Sequence, residues 1–175
     1  MKVLSVEKTY KAHVFDVAKI FGELPDGRQR YYDLVQHGPG VVLVPVTDEG
    51  KILFVSQYRV GSGKELLELP AGMVNDQEDP DPAAERELRE ETGYESKNII
   101  KLGGFYASAG YCSEYLHIYL ARDLVKNPLP QDDDEFLSNI AMTIDEAYDA
   151  VESGKLEDAK TIAALMMAQK YIRKG

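Results

Sequence analysis

Apolar and polar positions alternate through residues 1–36, most clearly in VEKTYKAHVFDVAKIFGELPDGRQRYYDLVQH. A period of two is the mark of strands with one covered face. Pro25, Asp26 and Gly27 interrupt it with turn chemistry, so the pattern predicts a first strand, a second over 14–24 and a third over 28–35. The alternation then gives way to the unbroken run GVVLVPV, which predicts a buried strand. TDEGK predicts a turn, and KILFVSQYR a strand pairing back on the run before it. ELLELPAG predicts a short strand ended at Pro-Ala-Gly, NIIKLGGFYAS and EYLHIYLARDL two more, and FLSNIAMT a last one beyond the acidic loop KNPLPQDDDE. Helix signals bound three segments. Asp81 as N-cap, Pro82 at the first position and Gly93 past the end predict a helix over 82–92. Thr143 or Asp145 opens a second that Gly154 stops, and a third covers 158–173. The order predicts a mixed sheet with helices against it, in a β-rich α+β or α/β domain.

Composition narrows the class. A chain of 175 residues, 44% apolar and 29% charged, can build one domain with its own core. No run approaches the ~18 consecutive apolar residues of a membrane span. The start, MKVLSVEKTYK, lacks the apolar stretch of a secretory signal. The single cysteine, Cys112, cannot form an internal disulfide, which fits a reducing cytoplasm, and it reads as a small hydrophobe. A net charge of −10 opposes nucleic acid as a partner. It leaves room for a small phosphorylated ligand, because a divalent metal inverts the sign of a local site.

The chemistry concentrates in GMVNDQEDPDPAAERELREETGY. Stepping about 100° per residue from Ala84 places Leu88 at about 40°, Glu91 at about 340° and Glu87 at about 300°. Ala84 and Leu88 are the core candidates, so Glu87 and Glu91 flank the buried face, while Glu85, Arg89 and Arg86 hold the solvated side. A charged stripe that merely faced water would point away from the core. Like charges four apart repel, and beside a dry wall they repel more or protonate. A hard divalent cation with oxygen ligands removes the conflict. Glu90 lies one i, i+4 step from Arg86; that pair reads equally as an orienting contact and as an ordinary helix ion pair.

Gly72, Glu78, Arg86, Glu87, Glu90, Glu91 and Gly93, with apolar Leu88 and Tyr94, match without a gap the signature of the Nudix hydrolase family, which this stretch resembles. Seven such positions coincide on the order of once in 10⁸ starts at average residue usage, so chance is not the explanation. The resemblance implies a Nudix fold, a mixed sheet between helices, with the signature forming loop, helix and loop. It implies hydrolysis of a nucleoside diphosphate linked to another group, with Mg²⁺, or Mn²⁺, as cofactor. By motif position Glu87 and Glu91 are the principal metal ligands, Glu90 a third, and Arg86 their orienting partner. The backbone carbonyl of Ala71 is a further ligand, and Glu78 holds the loop.

The flanks carry the resemblance towards one subfamily. SQYRVGSGKELLELPAGMV and GKLEDAKTIAALMMAQKY resemble the corresponding stretches of ADP-ribose pyrophosphatases. This implies a substrate contact from Arg59, and a homodimer made through the strand segment 1–36, ahead of a Nudix hydrolase domain over 37–175. Where that subfamily usually has Ser-Pro-Gly, this chain has Ser108-Ala109-Gly110, which opens the substrate to other nucleoside diphosphate sugars. Ser108 and Glu114 match substrate contacts of the family; taken alone they read equally as a turn serine and a strand glutamate. In QDDDEF the resemblance puts a catalytic base at Asp133 and a metal ligand at Glu135, although an acidic loop is otherwise a solvated one. For ADP-ribose the expected reaction is attack of water on one phosphorus, giving AMP and ribose 5-phosphate; the alternatives are another Nudix substrate, such as a GDP-sugar or an oxidised nucleoside triphosphate, and a ligand-sensing module without turnover. His13, His37 and His117 are scattered and make no zinc set.

Overall fold

The computed structural model describes residues 1–131 and 137–172. It divides into two compact units, the first made of Met1–Pro39 with Phe105–Tyr115, the second of Gly40–Gly104 and the chain from Leu116 onward.

In the first unit, β1 (Lys2–Lys11), β2 (Phe15–Glu23) and β3 (Gln29–His37) form an antiparallel sheet in the order β1-β2-β3. The β2–β3 turn closes because Gly27 adopts φ 83°, where a side chain would be strained, and Asp26 Oδ1 accepts from Arg28 N at 3.1 Å. Phe21 stacks on Tyr31 across the β2–β3 pair with centroids 4.7 Å apart. All of β1 is exposed. Residues 105–115 join this unit through Val35, whose N donates to the carbonyl of Tyr111 at 2.7 Å and whose carbonyl accepts from Ser113 N at 2.9 Å.

The second unit opens with β4 (Gly40–Pro45), β5 (Lys51–Arg59), β6 (Lys64–Glu68) and β7 (Ala71–Met73). Helix α1 (Pro80–Thr92), strands β8 (Tyr94–Tyr106), β9 (Tyr115–Lys126) and β10 (Ser138–Thr143), and helices α2 (Ile144–Glu152) and α3 (Ala159–Ile172) complete the chain. One sheet has the order β7-β4-β9-β8, with β4 antiparallel to β7 and parallel to β9; a second has the order β10-β5-β6. The expected return of KILFVSQYR onto GVVLVPV is therefore corrected. The two strands share a single bridge, Val46 with Ile52, and β5 then pairs with β6 and β10. Strand β4 is buried at every residue and both its edges are taken by β7 and β9, so no ladder is left for β5.

Val41 and Leu43 of β4 pack with Ala83, Ala84 and Leu88 of α1 and Tyr119 of β9. Alternation sends Val42 and Val44 to the opposite face, and α3 also packs on β4, so this mixed sheet lies between α1 and α3. Leu88 is fully buried, which contributes about 2 kcal/mol to holding α1 in place.

Helix α1 begins two residues earlier than the sequence predicts. Asp79 is its N-cap and Pro80 its first residue, without a side-chain capping bond. Pro82 causes no break because the first four helical N–H groups have no intrahelical acceptor to lose. Freed from capping, Asp81 accepts from the buried Tyr119 hydroxyl at 2.6 Å, and Lys101 lies 3.5 Å from the same oxygen. Gly93 ends α1 at φ 79°. The second helix has Thr143 as N-cap, in a capping box with Glu146. Among the described residues no helix is long and apolar enough to cross a membrane.

Candidate active site on the signature helix

Ala83, Glu87, Glu91 and Thr92 are buried alongside Ala84 and Leu88. On a step of about 100°, the buried arc of α1 runs from about 260° at Ala83 to about 80° at Thr92. Glu87 and Glu91 thus lie inside that arc rather than on its flank, at 8% and 1% exposure. Carboxylates this deep need fixed partners, and the backbone of β7 supplies part of the setting. Ala71 N donates to Glu91 Oε2 at 2.9 Å. A Cβ at Gly72 would lie 2.0 Å from the Glu87 carboxyl carbon, so only glycine lets that carboxylate rest against the chain.

Arg86 gathers the rest. Its Nη1 donates to Glu87 Oε1 at 2.7 Å and to Glu90 Oε2 at 2.8 Å. Its Nε and Nη2 donate to Glu78 at 3.1 and 3.0 Å, and Nη2 also to the Met73 carbonyl at 2.9 Å. The guanidinium pKa is raised, first by the Glu78 hydrogen bonds, with burial opposing and Glu87 and Glu90 adding. Arg86 in turn holds the Glu78 carboxyl below its ordinary range. Glu78 Oε2 also accepts from Asn75 N at 3.0 Å, so one carboxylate ties the loop ahead of α1 to the helix arginine.

Glu68 was not singled out from the sequence. It ends β6 at 1% exposure and accepts from Arg59 Nε at 2.8 Å, Arg59 Nη2 at 2.7 Å and Lys160 Nζ at 2.5 Å. Burial works to raise its pKa, but Arg59 and Lys160 outweigh it and the carboxyl is held below its ordinary range. Lys160 also bonds Asp158 at 3.0 Å, and Asp158 accepts from Thr161 N at 2.9 Å at the start of α3. The available signal was an acid placed between Leu67 and Leu69, just ahead of the Pro-Ala-Gly break.

Ser108 and Glu114 belong to the first unit. The Ser108 carbonyl accepts from Tyr111 N at 3.1 Å and Cys112 N at 2.9 Å, so this turn closes with Ala109 in place of a proline. Glu114 Oε1 lies 3.7 Å from His37 Nδ1. Asp133 and Glu135 lie outside the described residues.

Around α1 the donors available to a cation are carboxylate and carbonyl oxygens, a hard set that suits a divalent ion of the Mg²⁺ or Mn²⁺ kind. Among the described residues no three acidic, histidine or cysteine groups already converge as a metal cluster. Arg86 draws Glu87 and Glu90 to itself, and a cation would have to share those oxygens with the guanidinium.

The NUDIX domain model matches residues 36–165. The chain belongs to the Nudix family. It is a Nudix hydrolase similar to ADP-ribose pyrophosphatases, and hydrolases of this family generally use divalent metal ions. It is 36% identical to the ADP-ribose pyrophosphatase of Bacillus subtilis (strain 168), covering 96% of this chain and 92% of that protein. It is also 36% identical to the methanol dehydrogenase activator of Bacillus methanolicus, with the same 96% and 92% coverage. A crystal structure of an ADP compounds hydrolase shares the fold with a TM-score of 0.88, at 24% identity over 99% of this chain and 96% of that one.

Proposed function

We propose that this Nudix hydrolase cleaves the diphosphate linkage of ADP-ribose or a related nucleoside diphosphate sugar, giving a nucleoside monophosphate and a sugar phosphate, with Mg²⁺ as cofactor. The observation that carries the reading is the Glu87 carboxylate seated against the side-chain-free backbone of Gly72 and bonded to Arg86. The resemblance to an ADP-ribose pyrophosphatase over nearly the whole chain supports the substrate class.

In this reading Glu87, Glu90, Glu91 and the Ala71 carbonyl hold the cation. When bound, it supplies charge neutralisation at the diphosphate and makes water a better nucleophile at neutral pH. Arg86 sets the orientation of Glu87 and Glu90. Arg59 contacts a phosphate oxygen. By resemblance, Ser108 and Glu114 contact substrate, Asp133 is the base and Glu135 a further metal ligand. The protein works in the cytoplasm as a homodimer through residues 1–36, and the fully exposed β1 supports that assembly.

The test is a panel of ADP-ribose, GDP-sugars, other ADP-containing diphosphates and nucleoside triphosphates. Phosphate is read after a coupled phosphatase, with Mg²⁺, with Mn²⁺ and with chelator. ADP-ribose should turn over fastest, only with metal. Glu87→Gln and Glu91→Gln should each lower kcat by about 10²-fold or more. No hydrolysis of any nucleoside diphosphate sugar, or near wild-type turnover in both folded variants, would overturn the assignment.

A further inference from the structure

Arg59 carries an asymmetry. Its Nε and Nη2 are both bonded to Glu68, a carboxylate at 1% exposure, while its own side chain is 40% exposed and Nη1 has no partner among the described residues. The Glu68 hydrogen bonds raise the Arg59 pKa against the opposing effect of burial, and the Glu91 carboxylate is near enough to add to the rise. The guanidinium is therefore locked on its inner edge and open on its outer edge, beside the signature helix. A free arginine would spread over many rotamers. One gripped bidentately presents its remaining N–H groups in a fixed direction, and such planar forks suit phosphate oxygens. Lys160 gives Glu68 a second cation, so the buried carboxylate stays charged without relying on Arg59 alone.

The geometry points to Glu68 as a positioning residue for the hydrolysis: it aims Nη1 of Arg59 at a diphosphate oxygen of the substrate. This rests on the diphosphate reading above. The rival is a clamp that only ties β6 to α3.

Calorimetry of inorganic pyrophosphate binding in MgCl₂ separates the two, for wild type, Arg59→Met, Glu68→Gln, Glu68→Asp and each Glu68 variant combined with Arg59→Met. Glu68→Asp keeps the charge while withdrawing the carboxylate by one methylene. Arg59→Met should weaken pyrophosphate by about tenfold or more, each Glu68 variant should do likewise, and the combinations should be no weaker than Arg59→Met alone. With ADP-ribose the same variants should raise KM more than they lower kcat. Wild type that does not bind pyrophosphate, Glu68 variants that bind normally, or effects that multiply in the combinations would overturn the inference. Hydrolysis of ADP-ribose with multiplying effects removes this role and leaves the activity standing. Coupled pyrophosphate binding without turnover of any nucleoside diphosphate sugar does the reverse.

Discussion

Gly72 and Glu87 show how much one missing methyl can decide. A Cβ at position 72 would meet the far end of a flexible side chain, 2.0 Å from the Glu87 carboxyl carbon, rather than backbone. Gly72→Ala is therefore expected to fold with little change in Tm but to push the carboxylate aside. Its kcat should fall by about 10²-fold, the scale of a 1 Å misplacement; steady-state kinetics beside thermal unfolding checks it, and unchanged kcat would refute it. Glu68 makes a different expectation, in pH. Its folded pKa lies below the ordinary 4.5 through Arg59 and Lys160, against the pull of burial. The unfolded chain therefore binds this proton more readily than the folded one, so its stabilisation is complete above about pH 4.5 and is lost as pH falls through the folded value. Between about pH 6 and 3 the wild-type Tm should fall more steeply than that of Glu68→Gln. Parallel slopes would show that the ion cluster adds no stability.

At the scale of elements, the start of α1 is held from the side rather than by a cap. Asp79 makes no side-chain capping bond, whereas Asp81 accepts from the buried Tyr119 hydroxyl at 2.6 Å. Asp79→Ala should thus be nearly neutral. Asp81→Ala should cost about 1–3 kcal/mol by leaving a buried phenol without that acceptor. Tyr119→Phe in the Asp81→Ala background should recover part of the loss, since it removes the group left unsatisfied. Chemical denaturation of the four proteins measures this, and equal losses at 79 and 81 would show that the helix is fixed elsewhere. Caps, glycine stops and apolar spacing made α1, α2 and α3 legible in the chain to within about two residues. The side chain Asp81 would choose was not legible, because Tyr119 is distant in sequence and competes with the backbone only once β9 is packed beneath the helix.

At the scale of the molecule, β1 has no covered position, and Val3 and Val6 are each 52% exposed. A ten-residue strand carrying such side chains into water fits a partner surface better than a free edge. Light scattering should show a dimer at micromolar protein, and replacing Val3 and Val6 together by Glu should shift it to monomer. A monomeric wild type would remove the assembly from the proposal.

Much of this protein was determined locally, in contiguous stretches: the strand and helix segments, and the spacing that puts Glu87 and Glu91 one turn apart on one helix. Periodicity is a property of neighbours, so it survives without the fold. Three things were decided only by tertiary structure. Strand β5 leaves its sequence neighbour β4, because β7 and β9 occupy both edges of that buried strand. The buried arc of α1 widened to enclose its glutamates, because the β7 backbone at Ala71 and Gly72 reaches over them. Glu68 met Arg59 and Lys160, the latter 92 positions away, because β6 and α3 converge there. Partner choice for a buried charge depends on which chains the packing brings together, and no local pattern in the sequence records that.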